Sequence, residues 1–388
     1  MTVVNARDNA VHVHRPGLID VLDDRHIPVS DKARQFMLKR SPANPVITPR
    51  MVQPSRPDFR VDGTFNAGVV RYGDEVVLLV RVAESAVSDD PSKVRVPTLE
   101  PGADGWGLKL RSFQRGSPDY DFSDPREIKL IKDRRQTFLT SMSHLRLARS
   151  TNGTDFRVDD FPFLGPENRY ERFGCEDARI TQIEGRYYIN YTSVSDLGIS
   201  TSLAVTDDFI SVERLGVIFA PDNRDVCLFP RKIGGLYWAL HRPAPLHFGS
   251  PVIWSATSPD LIHWGDHRIV AERGATGWES HKIGGGAQML ETDHGWLQIY
   301  HGVDEDQRYC LGALLLDFDN PTIVRRRLAS PLAEPTEPYE VHGFFGNVVF
   351  ACGALIVGPD LHVYYGAADQ VMALGTVALA DLWRAMDL

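Results

Sequence analysis

The chain has 388 residues, 43% of them hydrophobic and 24% charged, the balance of an ordinary globular protein with ample core. Its formal charge of -9 and pI near 5.8 argue against a nucleic-acid groove, which needs a net basic face, and leave room only for a local basic cluster that takes a small anion. No run approaches the roughly 20 apolar residues of a membrane helix, and MTVVNARDNAVHVH lacks the apolar run of a signal peptide, so a cytoplasmic protein without a membrane partner is expected. Cys175, Cys227, Cys310 and Cys352 show no CxxC spacing and read as small buried hydrophobes rather than a disulfide or zinc framework.

In chain order, SDKARQFMLKR at residues 30 to 40 predicts a short helix with Ser30 as its N-cap, within an N-terminal extension over residues 1 to 40. Beyond it a three-part pattern recurs five times: a strand candidate, a turn bounded by Gly or Asp with an aromatic-rich strand, then a third strand. The first set is TFNAGVVR (64 to 71) and YGDEVVLLVRVAE (72 to 84), whose third strand, SHLRLARSTNGTDF (143 to 156), is displaced by an insert of about 85 to 142. That insert carries SDDPSK, PTLEPGADG and SPDYDFSDPRE, too polar and turn-rich for core. Two readings account for it: a functional rim loop or subunit contact, which would make a homo-oligomer, or a tolerated surface insertion. The second set is CEDARITQI (175 to 183), EGRYYINYTSVS (184 to 195) and TSLAVTDDFISV (201 to 212), and the third is VCLFPRKI (226 to 233), GGLYWALHRPAP (234 to 245) and VIWSATSPDLIHW (252 to 264). KIGGGAQML (282 to 290), HGWLQIYHGVDE (294 to 305) and CLGALLLDFDNP (310 to 321) make the fourth; NVVFACGALI (347 to 356), DLHVYYGAADQ (360 to 370) and VMALGTVALADLW (371 to 383) make the fifth.

Radial repetition of such sheets is a β-propeller, which hides its strand edges by closing the circle. The expected fold is therefore all-β: a single five-bladed propeller over residues 41 to 388, with the long insertion in its first blade. Its first strands would line a central channel, so their polar residues would converge at one mouth.

The stretch RFGCEDARIT, residues 172 to 181, brings two acids to such a strand. Strict alternation puts Asp177 and Arg179 on one face and Glu176 and Ala178 on the other. A strand-edge ion pair of Asp177 with Arg179 is the plain reading; a working carboxylate is the other. Basic residues recur at comparable places: Arg224 in PDNRDVCLFP, Arg242 in ALHRPAP, and Lys282 beside His281 in ESHKIGGG. At one mouth they make an anion site suited to phosphate, with glycines 284 to 286 letting a ligand approach the backbone. Asn66, Arg81, Asp304 and Asp369 lie where their strands begin or end and could hydrogen-bond sugar hydroxyls, though Asp304 reads equally as a turn acid. Trp278 offers a sugar-stacking face, while most other aromatics read as core. Neither a nucleotide loop nor a nucleophilic serine elbow is present.

FNAGVV, FGCEDARITQIEGRYYINYT, NRDVCLFPRKI, ALHRP, SPDLIHWGDH, KIGGG, GWLQIYHGV, GALLLDFDNP and YYGAAD, in this order, resemble glycoside hydrolase family 130, the inverting β-mannoside phosphorylases and related β-mannosidases. The resemblance runs from about residue 40 to 385 and implies a five-bladed propeller. It also implies that Asp177, the aspartate of the family's Glu-Asp-Pro-Arg motif, is the general acid, with Ala178 standing where the family has proline. The branch resembled acts on β-1,2-linked mannosides and shares Glu-Asp-Ala-Arg and the segment at 343 to 354. Phosphate-binding cations match Arg224, Arg242 and Lys282, with His301 nearby; sugar contacts match Asn66, Arg81 and Asp369, and Arg179 and Asp304 complete the expected substrate set. The implied reaction is phosphorolysis to α-mannose 1-phosphate, the acid acting through the mannose 3-hydroxyl, with phosphate as co-substrate and neither metal nor organic cofactor. Rival expectations are a hydrolase with Glu279 or Glu176 as base, a β-1,4-mannoside phosphorylase, and a propeller that binds carbohydrate without chemistry.

Overall fold

The structure, a computed structural model, describes residues 38 to 103, 105 to 133, 136 to 245 and 247 to 388. Nearly all of the regular structure is antiparallel strand, and every strand expected from the repeat is present. The helix expected over residues 30 to 40 lies outside the described residues up to 37. Its end does not continue as helix, because Lys39–Arg40 is a strand paired with Val371–Ala378. The boundary expected after residue 40 therefore falls inside a sheet.

Each repeat gains a fourth, outer strand that the sequence pattern did not announce. Phe59–Tyr72, Glu75–Ala86 and Ser141–Ser150 are flanked by Arg157–Val158. Gly174–Ile183, Arg186–Ser195 and Gly198–Thr206 end on Glu213–Phe219, and a single parallel bridge, Gly174 to Ser143, joins these two sets into one sheet. The next set is Asn223–Leu228, Tyr237–Pro243, Ile253–Ser258 and Gly265–Ala271. Lys282–Gly285, Gly295–Val303, Tyr309–Leu316 and Val324–Arg327 follow, with Leu290–Thr292 alongside. The last set, Val349–Val357, Asp360–Ala367 and Val371–Ala378, takes Lys39–Arg40 from the other end of the chain as its fourth strand.

The core lies between the sets. Along Glu75–Ala86, Val77 and Leu79 enter a cluster with Ile180 and Ile189 of the second set, whereas Val76, Leu78 and Val80 enter another with Tyr364 and Leu374 of the last. A strand covered on both faces reads as a continuous apolar run, which is why VVLLV lacks alternation. Three further clusters join the second set to the third, the third to the fourth, and the fourth to the fifth. First strands also touch in the same order: a Cβ at Gly68 would meet the Ala178 carbonyl, one at Gly285 the Asp225 carbonyl, one at Gly286 the Ala351 carbonyl, and one at Gly353 the Val69 amide. The insert is not featureless. It folds as a hairpin, Lys93–Gly102 with Gly105–Gln114, and a small sheet of Tyr120–Asp121, Glu127–Leu130 and Thr137–Leu139, around Val96, Phe113 and Ile128.

Candidate active site

Three first strands carry the same irregularity. At Asn66, Asp177 and Asp225 the backbone takes φ of 51°, 49° and 57°. At each of them the register with the neighbouring strand shifts. These are bulges with one residue in the left-handed region, which Asn and Asp tolerate better than other residues with a Cβ. The extra residue breaks the alternation expected for RFGCEDARIT, so Glu176 and Asp177 face the same cation. Arg81, on the second strand of the first set, donates from Nη1 to Asp177 Oδ1 at 3.0 Å and from Nη2 to Glu176 Oε1 at 2.8 Å. Its Nε holds Ser143 Oγ at 2.9 Å, and its plane lies 4.6 Å over the Phe65 ring. Asn66 Nδ2 also donates to Asp177 Oδ1, at 3.0 Å. Both donors fall on Oδ1, and among the described residues no hydrogen bond reaches Oδ2. Burial raises the pKa of Glu176, and it pushes Asp369 up to about 6 despite the pull of Arg81.

Beside this acid lies a group of cations around one buried carboxylate. Arg242 Nε donates to Asp225 Oδ2 at 2.5 Å, Arg179 Nη2 stands 3.5 Å from Oδ1, and His301 Nε2 stands 3.6 Å from Oδ2. Burial alone would raise the pKa of Asp225; Arg242 above all, with Arg179, instead holds it well below the usual carboxylate range. Arg224 is the register partner of Arg242, and its buried Nε has no hydrogen-bond partner among the described residues. Lys282 Nζ sits 4.9 Å over the Tyr309 ring, and burial, then Arg242, push its pKa down to about 8. Arg224, Arg242 and Lys282 thus crowd together with Asp225 as their buried counter-ion, an arrangement that an oxyanion relieves.

Not every expected residue joins the site. Arg179 is a brace: it donates to the carbonyls of Gly286 at 2.9 Å, Gly285 at 3.1 Å and Asp177 at 2.9 Å, and does not pair with the Asp177 carboxylate. His301 is buried, and burial pushes its pKa down to about 3, so it backs Asp225 as a neutral ring, 4.7 Å from Phe350, rather than adding a charge for phosphate. Asp304 is a turn acid, accepting from the Asp306 amide at 3.1 Å, the Arg308 amide at 2.9 Å and Arg308 Nε at 3.0 Å. A Cβ at Gly284 would lie 2.5 Å from Asp225 Oδ2 and 2.7 Å from Arg242 Nε, so the glycines make room for the protein's own ion pair, not for a ligand. Trp278 packs on Tyr300 at 5.7 Å, and Glu279 is held by Tyr300 Oη and Arg327 Nη2, each at 2.6 Å.

Sequence reasoning passed over Asp225 and Arg126. Asp225 had a signal, since it follows Arg224 as Asp177 follows Glu176. Arg126 had none, because it arrives on the insert and meets the site only through folding. Among the described residues no group of three or more His, Cys, Asp or Glu is placed to hold a metal ion.

A carboxylate with a free oxygen, set against crowded cations on repeated antiparallel sheets, is the equipment of a carbohydrate-active enzyme with an anionic co-substrate. The profile of glycoside hydrolase family 130, described as beta-1,4-mannooligosaccharide phosphorylase, matches residues 131 to 388. A beta-1,2-mannobiose phosphorylase of Listeria innocua is 46% identical over 346 residues, which cover 89% of this chain and 97% of that protein. A 1,2-beta-oligomannan phosphorylase of a Thermoanaerobacter species is 38% identical over 244 residues, 62% of this chain and 80% of that one. The solved structure of the Listeria innocua enzyme in complex with beta-1,2-mannobiose superimposes with a TM-score of 0.86 at 45% identity, covering 90% of this chain and 99% of that one. The chain belongs to glycoside hydrolase family 130.

Proposed function

We propose that the protein is an inverting β-mannoside phosphorylase, which cleaves β-1,2-linked mannobiose and mannooligosaccharides with inorganic phosphate to give α-mannose 1-phosphate and a shortened sugar. The observation that carries this is the crowding of Arg224, Arg242 and Lys282 around Asp225, beside Asp177. A phosphate oxygen attacks the anomeric carbon, the glycosidic bond breaks with its electron pair going to the departing oxygen, and Asp177 supplies the proton that oxygen takes up. Phosphate arrives already charged and needs no base, whereas an inverting hydrolase needs a second carboxylate roughly 6.5–9.5 Å from the acid to activate water. Of the two rival bases, Glu279 is committed to Tyr300 and Arg327, and Glu176 shares the guanidinium of Asp177 itself. Asn66, Arg81 and Asp369 stand beside Asp177 as the contacts for the mannosyl unit.

The scaffold of this site we take to be a five-bladed propeller running from about Leu38 to the C-terminus. Support comes from the clusters that join each set to the next and the last to the first. Phosphate is the co-substrate, with no metal or organic cofactor in the scheme, and a reaction that consumes phosphate and releases a sugar phosphate suits the cytoplasm. The β-1,2 linkage rests on the relatives that match most of the chain, against the β-1,4 wording of the family profile. Incubating the protein with β-1,2-mannobiose should yield mannose 1-phosphate only when phosphate is present, and Asp177→Asn should lower turnover by at least a thousandfold. Full-rate release of free mannose without phosphate would overturn the reading; running the reverse reaction from mannose 1-phosphate and identifying the bond formed decides the linkage.

A further inference from the structure

The insert delivers one side chain to the site that the scheme above does not use. Arg126 lies between the two insert strands Tyr120–Asp121 and Glu127–Leu130, and its guanidinium lies 4.5 Å over the ring of Phe345, in the loop before the last set. Asp124 fixes it in a fork, accepting from Nε at 3.0 Å and from Nη2 at 2.8 Å. Among the described residues nothing accepts from Nη1, so two N–H groups stay available on a cation already locked in place. Phe345 meets Tyr309 edge-on at 6.3 Å, and Tyr309 carries Lys282 on its face at 4.9 Å, so one stack runs from Arg126 to the cation cluster. The charge of Arg126 is felt from both sides of the site: it helps to hold down the pKa of Lys282, and it opposes the rise at Asp369.

An inverting displacement puts nucleophile and leaving group on opposite faces of the anomeric carbon. Arg224 and Arg242 belong to the paired strands Asn223–Leu228 and Tyr237–Pro243, and Arg242 is 6% exposed, so the phosphate has its cations within the sheets. Arg126 comes from outside the five sets and is half-buried, a donor separate from the cations that the sheets hold for phosphate.

We propose that Arg126, seated on Phe345, binds the leaving-side sugar of the mannoside and so selects the acceptor; this rests on the phosphorylase reading. Its N–H groups donate to hydroxyls of the departing sugar, while the phosphate stays with Arg224, Arg242 and Lys282. Arg126→Met keeps an unbranched stem on Phe345 and removes the donors; Arg126→Lys keeps the charge without the fork. In synthesis from mannose 1-phosphate and mannose, the methionine variant should raise KM for the acceptor at least tenfold and the lysine variant by less. KM for mannose 1-phosphate, and for phosphate in the forward direction, should stay within about twofold of wild type. A rise in the phosphate constant instead, an equal rise in both, or no change in either overturns the proposal, and the lysine variant supplies the same comparison where the methionine variant fails to fold. Wild-type protein that turns over without phosphate would remove the underlying reading, before any variant is made.

Discussion

Two side chains at the site titrate near neutrality, and each sets one limb of a pH profile. On the proposed reading Lys282 holds phosphate as an ammonium, so with its pKa pushed down to about 8 the apparent KM for phosphate should climb as pH rises past 8. Lys282→Arg should carry that limb out of range. Asp369, proposed as a mannosyl contact, would accept hydrogen bonds from sugar hydroxyls as a carboxylate, so with its pKa up to about 6 the kcat/KM for mannoside should fall as pH drops through 6. The same shift predicts a stability effect of opposite sense. A carboxyl whose folded pKa lies above its unfolded value of 3.8 costs stability once ionised, in full above about 6 and not at all below 3.8. Asp369→Asn should therefore stabilise the fold at pH 7 by on the order of 1–3 kcal/mol, read as a higher thermal midpoint, while sugar affinity is lost. At this scale the sequence disclosed residue types but not their partners. Asp177 and the three cations stand out as charges on strand-like runs, yet nothing local says that Arg81 serves both acids or that Asp304 closes its own turn with Arg308.

The bulge is the element that decides which side chains meet. An extra residue at Asp177 turns Glu176 and Asp177 to one guanidinium and sends Arg179 into the next strands, where alternation had placed it beside Asp177. Period-two reading fails wherever a strand carries such a residue, and glycine, its usual marker, is absent here. The readable clue was a recurring Asn or Asp at one place in three first strands, Asn66, Asp177 and Asp225. The strand Lys282–Gly285 depends on glycine for a different reason, close approach. Gly284→Ala would drive a methyl into Asp225 and Arg242, so the variant should bind phosphate at least tenfold more weakly, measured by KM, at a cost of about 1–3 kcal/mol in stability. An unchanged phosphate KM would mean that the Asp225–Arg242 pair does not shape the anion site.

At the scale of the molecule, apolar periodicity located the sets because each strand between two sets must be apolar on both faces. The outer strands escaped it: Arg157–Val158 and Val324–Arg327 are short, and Glu213–Phe219 and Gly265–Ala271 are mostly exposed or half-exposed. The strand Lys39–Arg40 escaped it most completely, since its partner lies at the far end of the chain. Arg40 is held there by Glu340, which is 0% exposed and accepts from Arg40 Nε and Nη2 at 3.0 Å each and from Tyr365 Oη at 2.7 Å. Arg40→Ala leaves that buried carboxylate without its cation and should lower stability by about 3–5 kcal/mol in denaturant titrations, with kcat unchanged under conditions where the fold persists.

That same strand has a consequence for how the protein is made. Lys39–Arg40, which finishes the last sheet, is synthesised long before the strand it pairs with, Val371–Ala378. Until Val371–Ala378 is made, Lys39–Arg40 lacks the strand it pairs with, and a product that stops short of it carries an open edge on its last sheet. A premature stop that removes even the final strand would strand both ends at once, giving an aggregation-prone chain rather than a slightly smaller enzyme.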